Sequence, residues 1–276
     1  MKTFLLTLIA MIAFAANSLI CRLALGEGLI DAASFTTVRA VSGALTLVLI
    51  ALPGWKNRQR TAFNWKSASM LFVYLAFFSF AYLSLSAGTG ALLLFGAVQL
   101  TMFTVALRAG ERFPPWSWFG LTVAVLGIVY LVLPGVTAPD PLGAVLMAIA
   151  GIAWGLYSLS GKGVADPLAS TANNFLLAVP LAVLVSLFFL EDMQVSSRGL
   201  LLAVLSGSVS SGLGYVIWFA ALRGLAATRA ATVQLSVPAI AAAGGLFVLS
   251  EPITLRLVIA SVATLGGIAI VLKQKA

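Results

Sequence analysis

The side chains that most often carry enzymatic chemistry are scarce in the apolar stretches of this sequence. It contains no histidine and a single cysteine, Cys21. Its acidic residues all lie at the ends of apolar stretches or between them: Glu27, Asp31, Glu111, Asp140, Asp166, Glu191, Asp192 and Glu251. A catalytic site would need a nucleophile with a base, a carboxylate pair or a metal cluster. We therefore expect no catalytic residue, no metal site and no cofactor.

Arg39 is the one charged residue well inside an apolar stretch. Counted from the nearest end of that stretch, it lies about 12 Å deep at a rise of ~1.5 Å per residue. An arginine in such surroundings is costly and is a candidate functional residue by default. Two interpretations stay open. Arg39 binds a carboxylate of a substrate, or it has a structural role, in which it caps helix ends or carbonyl groups of a neighbouring helix or extends towards a water-filled cavity.

The other candidates are amides, hydroxyls and aromatic rings at similar depth. Buried amides need hydrogen-bond partners, and an aromatic ring with a polar tip suits an amphipathic ligand. The predicted lining of a substrate cavity is Asn17, Ser18, Arg39, Phe78, Tyr82, Gln99, Trp154, Tyr157, Ser158, Tyr215, Trp218 and Gln234. Hinges are predicted at Pro238, which interrupts a helix, and at Gly88, Gly90 and Gly214. For a single serine, helix packing is the alternative role.

The composition indicates where these residues lie. Hydrophobic residues make up 61% of the chain and charged residues 9%, whereas a soluble domain has about 25% charged residues. The chain is therefore expected to be an integral membrane protein. The net charge of +8 does not indicate a nucleic-acid partner, because the basic residues form no contiguous patch. The expected partners are the lipid bilayer and a small-molecule substrate, and no obligate protein partner is evident.

The charged and turn-forming residues divide the chain into ten apolar segments of the length that crosses a bilayer, about 20 residues each. The predicted helices cover residues 3–24, 32–52, 66–85, 89–108, 115–133, 141–162, 169–190, 199–222, 229–249 and 252–272. The long uncharged stretch between Lys66 and Arg108 is divided by a turn of small residues around Gly88. The fold class is thus all-α, with ten transmembrane helices.

The distribution of Lys and Arg between the two ends of these helices predicts the orientation. Twelve basic residues collect on one side: Lys2, Lys56, Arg58, Arg60, Lys66, Arg108, Arg112, Lys162, Arg223, Arg229, Lys273 and Lys275. The other side has three: Arg22, Arg198 and Arg256. Because positively charged loops stay in the cytoplasm, both termini are predicted to be cytoplasmic. An even number of spans agrees with this.

The sequence also repeats itself at an offset of 140 residues without a gap. Ile12-Ala-Phe14 is echoed by Ile152-Ala-Trp154, and Gly127-Ile128 by Gly267-Ile268. Glu111 aligns with Glu251 at the same offset. The repeat divides the chain into residues 1–135 and 136–276, each with five predicted helices. Because five is odd, the second half must enter the membrane in the opposite orientation. Such inverted repeats place a substrate site between the halves and permit alternating access.

The ordered set of motifs resembles the ten-helix EamA-type exporters of the drug/metabolite transporter superfamily. The resemblance covers nearly the whole chain. It is carried by Ile12-Ala-Phe-Ala-Ala-Asn-Ser18, Ile152-Ala-Trp-Gly-Leu-Tyr-Ser158, Arg39, Glu111, Glu251-Pro252, Leu126-Gly-Ile128 and Gly266-Gly-Ile268. It implies export of amino acids, other metabolites or drugs across the bacterial inner membrane, and the chain looks most like amino-acid exporters, including those for aromatic amino acids. It also implies a cavity lined by helices 1, 3, 4, 6, 8 and 9.

In one respect the chain departs from that family. Its members usually carry a proline in helix 4 as in helix 9, whereas this chain has Val98-Gln99 in helix 4 and Pro238 in helix 9. Symmetric hinging by two prolines is therefore not expected.

Several functions remain open at the level of the sequence. We expect a facilitative exporter of neutral or aromatic amino acids or related metabolites, because proton-driven antiporters usually place a carboxylate or histidine inside the bilayer. A proton-coupled multidrug or metabolite effluxer is the alternative within the transporter class. A channel is also possible, but the sequence has neither a ring of charged residues nor the signature of a carbonyl filter. An intramembrane enzyme ranks last.

Overall fold

A computed structural model describes residues 2–52, 64–161, 164–222, 224–225 and 232–273. Within these ranges the regular structure is helical, apart from one isolated β-bridge between Ile30 and Val195. The helices are α1 (Lys2–Gly26), α2 (Ala32–Ala51), α3 (Trp65–Ala81), α4 (Ala87–Arg108), α5 (Pro115–Val132), α6 (Pro141–Ser160), α7 (Pro167–Phe188), α8, α9 (Ser236–Leu249) and α10 (Leu255–Lys273). Of these, α8 consists of α-helix Ser197–Leu205, π-helix Ser206–Leu213 and α-helix Gly214–Leu222.

Nine segments of the described chain are long and apolar enough to cross a membrane, and α3 is a shorter apolar helix of 17 residues. The prediction of an all-α membrane protein is therefore confirmed. The predicted third helix, 66–85, was too long at its end, because Tyr82 to Ser84 form a turn. Residue 162 of the predicted sixth helix and residues 229–231 of the predicted ninth lie outside the described residues. So do Lys56, Arg58, Arg60, Arg223 and Lys275 of the orientation argument.

Side-chain caps define where many of the helices begin. The carboxylates of Asp31, Asp140 and Asp166 accept hydrogen bonds from backbone N–H groups in the first turns of α2, α6 and α7. Asn64, Ser86 and Ser196 do the same for α3, α4 and α8. Capping satisfies N–H groups that have no partner within the helix. Three of the acidic residues thus have a structural role at helix ends.

The packing joins helices from the two parts of the sequence rather than keeping the parts separate. The pairs α5–α10, α2–α7 and α4–α9 are each in contact. Further contacts join α3 with α6, α1 with α8, α4 with α6, α1 with α9, α3 with α7, and α2 with α8. One main hydrophobic core therefore runs through both parts of the chain, and each of the helices α1 to α10 contributes to it.

Helices α5 and α10 approach each other closely through small residues. A Cβ atom added at Gly120 would lie 2.5 Å from the backbone oxygen of Gly267, and one at Gly127 would lie 2.8 Å from the backbone nitrogen of Thr264. The hydroxyl of Thr264 donates a hydrogen bond to the carbonyl oxygen of Ala124, 3.4 Å away. Backbone-to-backbone contact of this kind is how membrane helices gain van der Waals and hydrogen-bond energy.

We predict that Gly267→Val destabilises the protein, because its Cβ would meet the backbone nitrogen of Ala124 at 2.6 Å and the carbonyl oxygen of Gly120. No side-chain rotation relieves a clash with backbone. Overpacking of this kind typically costs about 1–3 kcal/mol. The midpoint of thermal unfolding in detergent should therefore fall.

The matched control for that substitution is Gly266→Val in the same helix. A Cβ at Gly266 meets no atom within 4 Å, so the two substitutions share the change in helix propensity but not the clash. Equal midpoints for the two variants would contradict the assigned α5–α10 contact.

Candidate functional site

A cavity opens between the helices at about the middle of their length. Side chains of α1, α2, α3, α4, α6 and α8 line it: Phe14, Asn17, Ser18, Arg39, Tyr74, Phe78, Leu94, Phe95, Trp154, Ser210, Ser211 and Tyr215. Six of these were predicted from the sequence, namely Asn17, Ser18, Arg39, Phe78, Trp154 and Tyr215. The lining combines six aromatic side chains, two of them tyrosines, with one amide, three serine hydroxyls and one guanidinium. Helix α9 contributes nothing to it, contrary to the implication of the family resemblance, and α2 contributes Arg39.

The guanidinium of Arg39 is completely buried at the edge of this cavity. Its Nε donates to the hydroxyl of Ser211 at 3.3 Å, and its Nη2 donates to the hydroxyl of Tyr74 at 3.1 Å. Its Nη1 has no hydrogen-bond acceptor among the described residues. The Cζ atom lies 5.2 Å from the ring centroid of Tyr74 and 5.0 Å from that of Phe78. The cation is thus held by neutral groups, through two hydroxyls and two ring faces.

The aromatic rings form a continuous wall beside Arg39. The ring centroids of Tyr74 and Trp154 are 4.7 Å apart, and those of Trp154 and Tyr215 are 5.1 Å apart. Phe14 extends the wall by an edge contact to Tyr215 at 6.0 Å. Rings at such distances interact favourably with one another and present an apolar surface with polar tips. This side of the cavity suits an apolar or aromatic group.

Close approach of α8 to α2 brings Ser211 to Arg39. A Cβ at Gly207 would clash with the carbonyl oxygen of Arg39 and with the hydroxyl of Ser42. A Cβ at Gly43 would lie 3.2 Å from the carbonyl oxygen of Gly207. Glycine at both positions lets the two backbones touch, so that a short serine side chain reaches the guanidinium.

The π-helical turns of α8 are a feature of the candidate site that the sequence prediction missed. In a π-helix, residues five apart lie on one face, and such turns are frequent at functional sites. Ser206 donates to the amide oxygen of Asn17 at 2.7 Å, and Ser211, five residues on, accepts from Arg39. The signal available in the sequence was the run Ser206-Gly-Ser-Val-Ser-Ser-Gly212, rich in serine and glycine inside an apolar span.

An ion pair joins several segments at one end of the helix bundle. Nε of Arg22 lies 2.9 Å from Oε1 of Glu251, and Oε2 of Glu251 accepts from the N–H of Ala87 at 2.8 Å. Nη1 of Arg22 also donates to the carbonyl oxygens of Tyr82 and Leu83. This group, which we call the Arg22–Glu251 clamp, ties α1 to the end of α3, the start of α4 and the segment before α10. Arg22 lies one turn beyond Ser18 of the cavity.

Three of the other predicted cavity residues are buried next to the cavity without lining it. The ring of Tyr82 packs edge-on against Phe78 at 4.8 Å, and its hydroxyl donates to the carbonyl oxygen of Ala87. Trp218 packs edge-on against Phe14 at 5.9 Å. Gln99 is buried on α4, and its amide nitrogen has no acceptor among the described residues.

The remaining three predicted cavity residues do not line the cavity either. Tyr157 packs against Trp154 at 5.7 Å, and its hydroxyl accepts from the amide of Asn174 at 3.5 Å. Ser158 donates to the carbonyl oxygen of Trp154 in its own helix. Gln234 is buried in the short helical stretch before α9.

The four predicted hinge residues fall into two groups. The short helical stretch before α9 ends in a turn at Leu235, three residues before Pro238, as expected where a proline removes a helical hydrogen bond. Gly214 follows the π-helical turns directly. Gly88 and Gly90 lie in the first turn of α4, where an added Cβ would meet Ala242 and the ring of Tyr82 respectively. These two glycines therefore permit close packing.

The side chains that line the cavity can bind a ligand. The described part of the chain has no cluster of three or more histidine, cysteine or acidic residues that could hold a metal ion. The groups that face the cavity are a cation, hydroxyls, an amide and aromatic rings. They can hold a small solute that has an apolar part and a polar head.

Comparison with known proteins shows the family of the chain. The model of the EamA-like transporter family matches residues 141–273. The chain is 49% identical to an uncharacterized protein of Pseudomonas aeruginosa, over 99% of this chain and 96% of that one. It is 30% identical to the threonine/homoserine exporter RhtA of Escherichia coli, over 82% of this chain and 77% of the exporter.

A solved crystal structure has the same fold along almost the entire length. Its superposition on the present structure covers 99% of each chain, with a TM-score of 0.69 and a sequence identity of 18%. This similarity concerns the fold alone. Together, the family match and the exporter relative show that the chain belongs to the EamA-like transporter family of the drug/metabolite transporter superfamily.

Proposed function

We propose that the protein exports neutral or aromatic amino acids, or related small metabolites, by alternating access. The observation that carries this proposal is the cavity at mid-length of the bundle, where one cation and a few hydroxyls lie beside an aromatic wall. A site of this kind fits a solute with one polar head and one apolar part. Nothing in its lining has the arrangement of a catalytic nucleophile and base, so a role as an enzyme is not proposed.

The relatives support the choice of solute. RhtA is named as an exporter of threonine and homoserine, both of which are neutral amino acids. Six aromatic rings line the cavity of the present protein, which favours larger apolar side chains than those of threonine and homoserine. Neutral amino acids with apolar or aromatic side chains are therefore the first solutes to test.

The packing supports the proposal that residues 1–135 and 136–276 are inverted repeats. The offset of 140 residues converts α1 into α6, α2 into α7 and so on. Exchanging the two halves in this way turns the contact between α3 and α6 into one between α8 and α1. It likewise turns the contact between α4 and α6 into one between α9 and α1. All four contacts are present. The pairs α2–α7, α4–α9 and α5–α10 are converted into themselves. Thr264 bonds to Ala124, its own equivalent, as expected for residues near a pseudo-two-fold axis.

Inverted halves permit an exchange of their conformations, which opens the cavity alternately to the two sides of the membrane. We place the protein in the bacterial inner membrane with both termini cytoplasmic, on the basis of the positive-inside rule. In that orientation the Arg22–Glu251 clamp lies at the outer end of the bundle. We propose that it seals the cavity from the outside and opens when solute is released.

The positions of the acidic residues support facilitated export rather than proton coupling. Asp31, Asp140 and Asp166 cap helices, and Glu251 is held by Arg22 and the N–H of Ala87. No acidic side chain lines the cavity. A proton-driven exporter usually has a titratable group within the membrane that competes with the substrate.

The direct test is counterflow of radiolabelled amino acids in proteoliposomes that contain the purified protein. Phenylalanine, leucine and threonine should accumulate when the same amino acid is preloaded, and an imposed pH gradient should not change the initial rate. Strict dependence on the pH gradient would overturn the facilitative mechanism, and transport of none of these solutes would overturn the amino-acid assignment.

In the same assay, Trp154→Ala should reduce phenylalanine counterflow about tenfold or more, because a buried aromatic ring contributes on the order of 1.5 kcal/mol or more. The matched control is Trp116→Ala, since Trp116 is 63% exposed on the surface of α5 and lies outside the cavity. A similar loss in both variants would show that the effect is not specific to the cavity.

We further predict that Glu251→Gln shifts the protein towards an outward-open state, because the amide loses the charge that holds Arg22. The readout is labelling of Ser18→Cys, placed in a Cys21→Ala background, by a membrane-impermeant maleimide added from outside. Ser18 is 2% exposed, so labelling should be slow with the clamp intact and several-fold faster in Glu251→Gln.

Arg198→Gln is the control for that experiment. Arg198 and Glu27 form a second ion pair, at 3.5 Å, with side chains that are 62% and 51% exposed. Exposed pairs contribute little to stability, so this substitution should leave the labelling rate unchanged. An unchanged rate in Glu251→Gln would contradict the proposed seal.

A further inference from the structure

The guanidinium of Arg39 forms no ion pair with any residue in the described part of the chain. All eight acidic residues of the sequence lie in the described part of the chain, so their positions can be compared with that of Arg39 directly. None of them lines the cavity. The nearest along α2 is Asp31, its N-cap, about 12 Å away along the helix axis. A buried cation without an anionic partner is costly, and natural proteins keep one where it has a function.

The alternative role for Arg39, capping of backbone carbonyls, does not match its contacts. Two other arginines do cap carbonyl groups: Arg22 donates to the carbonyl oxygens of Tyr82 and Leu83, and Arg256 donates to those of Leu131 and Leu133. Arg39 donates to two side-chain hydroxyls, and its Nη1 finds no acceptor in the described chain. Capping of carbonyl groups at helix ends therefore does not explain why an arginine is buried at this position.

The contacts of Arg39 leave one donor free while they fix the rest of the group. Two hydroxyls orient Nε and Nη2, and the ring faces of Tyr74 and Phe78 confine the plane of the guanidinium. Nη1 remains as a buried N–H donor at the cavity. A fixed guanidinium is suited to recognise a planar carboxylate. The aromatic wall next to it favours an organic acid over an inorganic anion.

We propose that Arg39 is the anchor for the carboxylate of the transported solute, so that the protein selects small carboxylates with an apolar or aromatic substituent. This inference rests on the proposed function, and it names the group by which the solute is recognised. The carboxylate neutralises the buried charge and accepts a hydrogen bond from Nη1. The substituent lies against Tyr74, Trp154 and Tyr215.

The test compares two probes of nearly equal shape that differ in the carboxylate, 3-phenylpropionate and 3-phenylpropionamide. Binding to the detergent-purified, full-length protein is measured from the ligand-dependent increase in thermal stability. The carboxylate should bind at least tenfold more tightly than the amide, a difference of about 1.4 kcal/mol. Counterflow of phenylalanine in proteoliposomes should be inhibited by the carboxylate with the same preference.

Arg39→Gln should abolish the preference, so that both probes bind with the weak affinity of the amide. Arg39→Lys should recover part of it, because lysine restores the charge without the planar fork. Arg198→Gln removes an exposed arginine and should keep the full preference. Equal binding of the two probes to the wild-type protein would overturn the proposal, as would a preference that survives in a folded Arg39→Gln variant.

The two readouts separate this inference from the proposed function. Selective binding of the carboxylate without transport would support the anchor and contradict the assignment as an exporter. Transport of amino acids without any preference for the carboxylate would support the exporter and contradict the anchor. If Arg39→Gln does not fold, the wild-type preference and the Arg39→Lys variant still decide the outcome.

Discussion

A cation buried at mid-membrane is the constraint on which the central structure depends. Since the guanidinium of Arg39 is completely buried in this structure, the contacts around it must compensate for lost hydration. Ser211 reaches it because Gly43 and Gly207 allow α2 and α8 to touch. Tyr74 and Phe78 are on α3, which places both ring faces against the charge. The same residues form the cavity, so the arrangement that stabilises Arg39 also builds the binding site.

Close helix contacts elsewhere give the bundle a rigid frame around this centre. Helices α5 and α10 meet backbone to backbone through Gly120, Gly127 and Gly267, away from the cavity. In a membrane, where apolar surfaces gain little by leaving lipid, such contacts are a main source of helix association. The interruptions of regular helix lie elsewhere, in the π-helical turns of α8 and at Leu235 before Pro238. We therefore expect conformational change to involve α8 and α9 more than α5 and α10.

The sequence predicted the helices better than the site. Helix boundaries agreed within a few residues because caps such as Asp31 and Ser86 and turns between apolar stretches are local signals. The exception was the end of the third helix, where Tyr82 continues an apolar pattern but belongs to a turn. Of twelve predicted cavity residues six line the cavity. Tyr157 and Ser158 share the motif that contains Trp154, but they lie on other sides of α6, and motif membership does not reveal which side faces inward.

The composition and the spacing of charged residues between apolar segments were enough to predict an all-α membrane protein, because too few charged residues are present to cover a water-facing surface. The family resemblance likewise followed from residues in order along the chain. Only the tertiary structure decided that Arg39 is held by hydroxyls and rings instead of carbonyl groups, and that Glu251 pairs with Arg22. These contacts join residues far apart in sequence. They depend on helix rotation and on backbone proximity at glycines, which local sequence patterns do not encode.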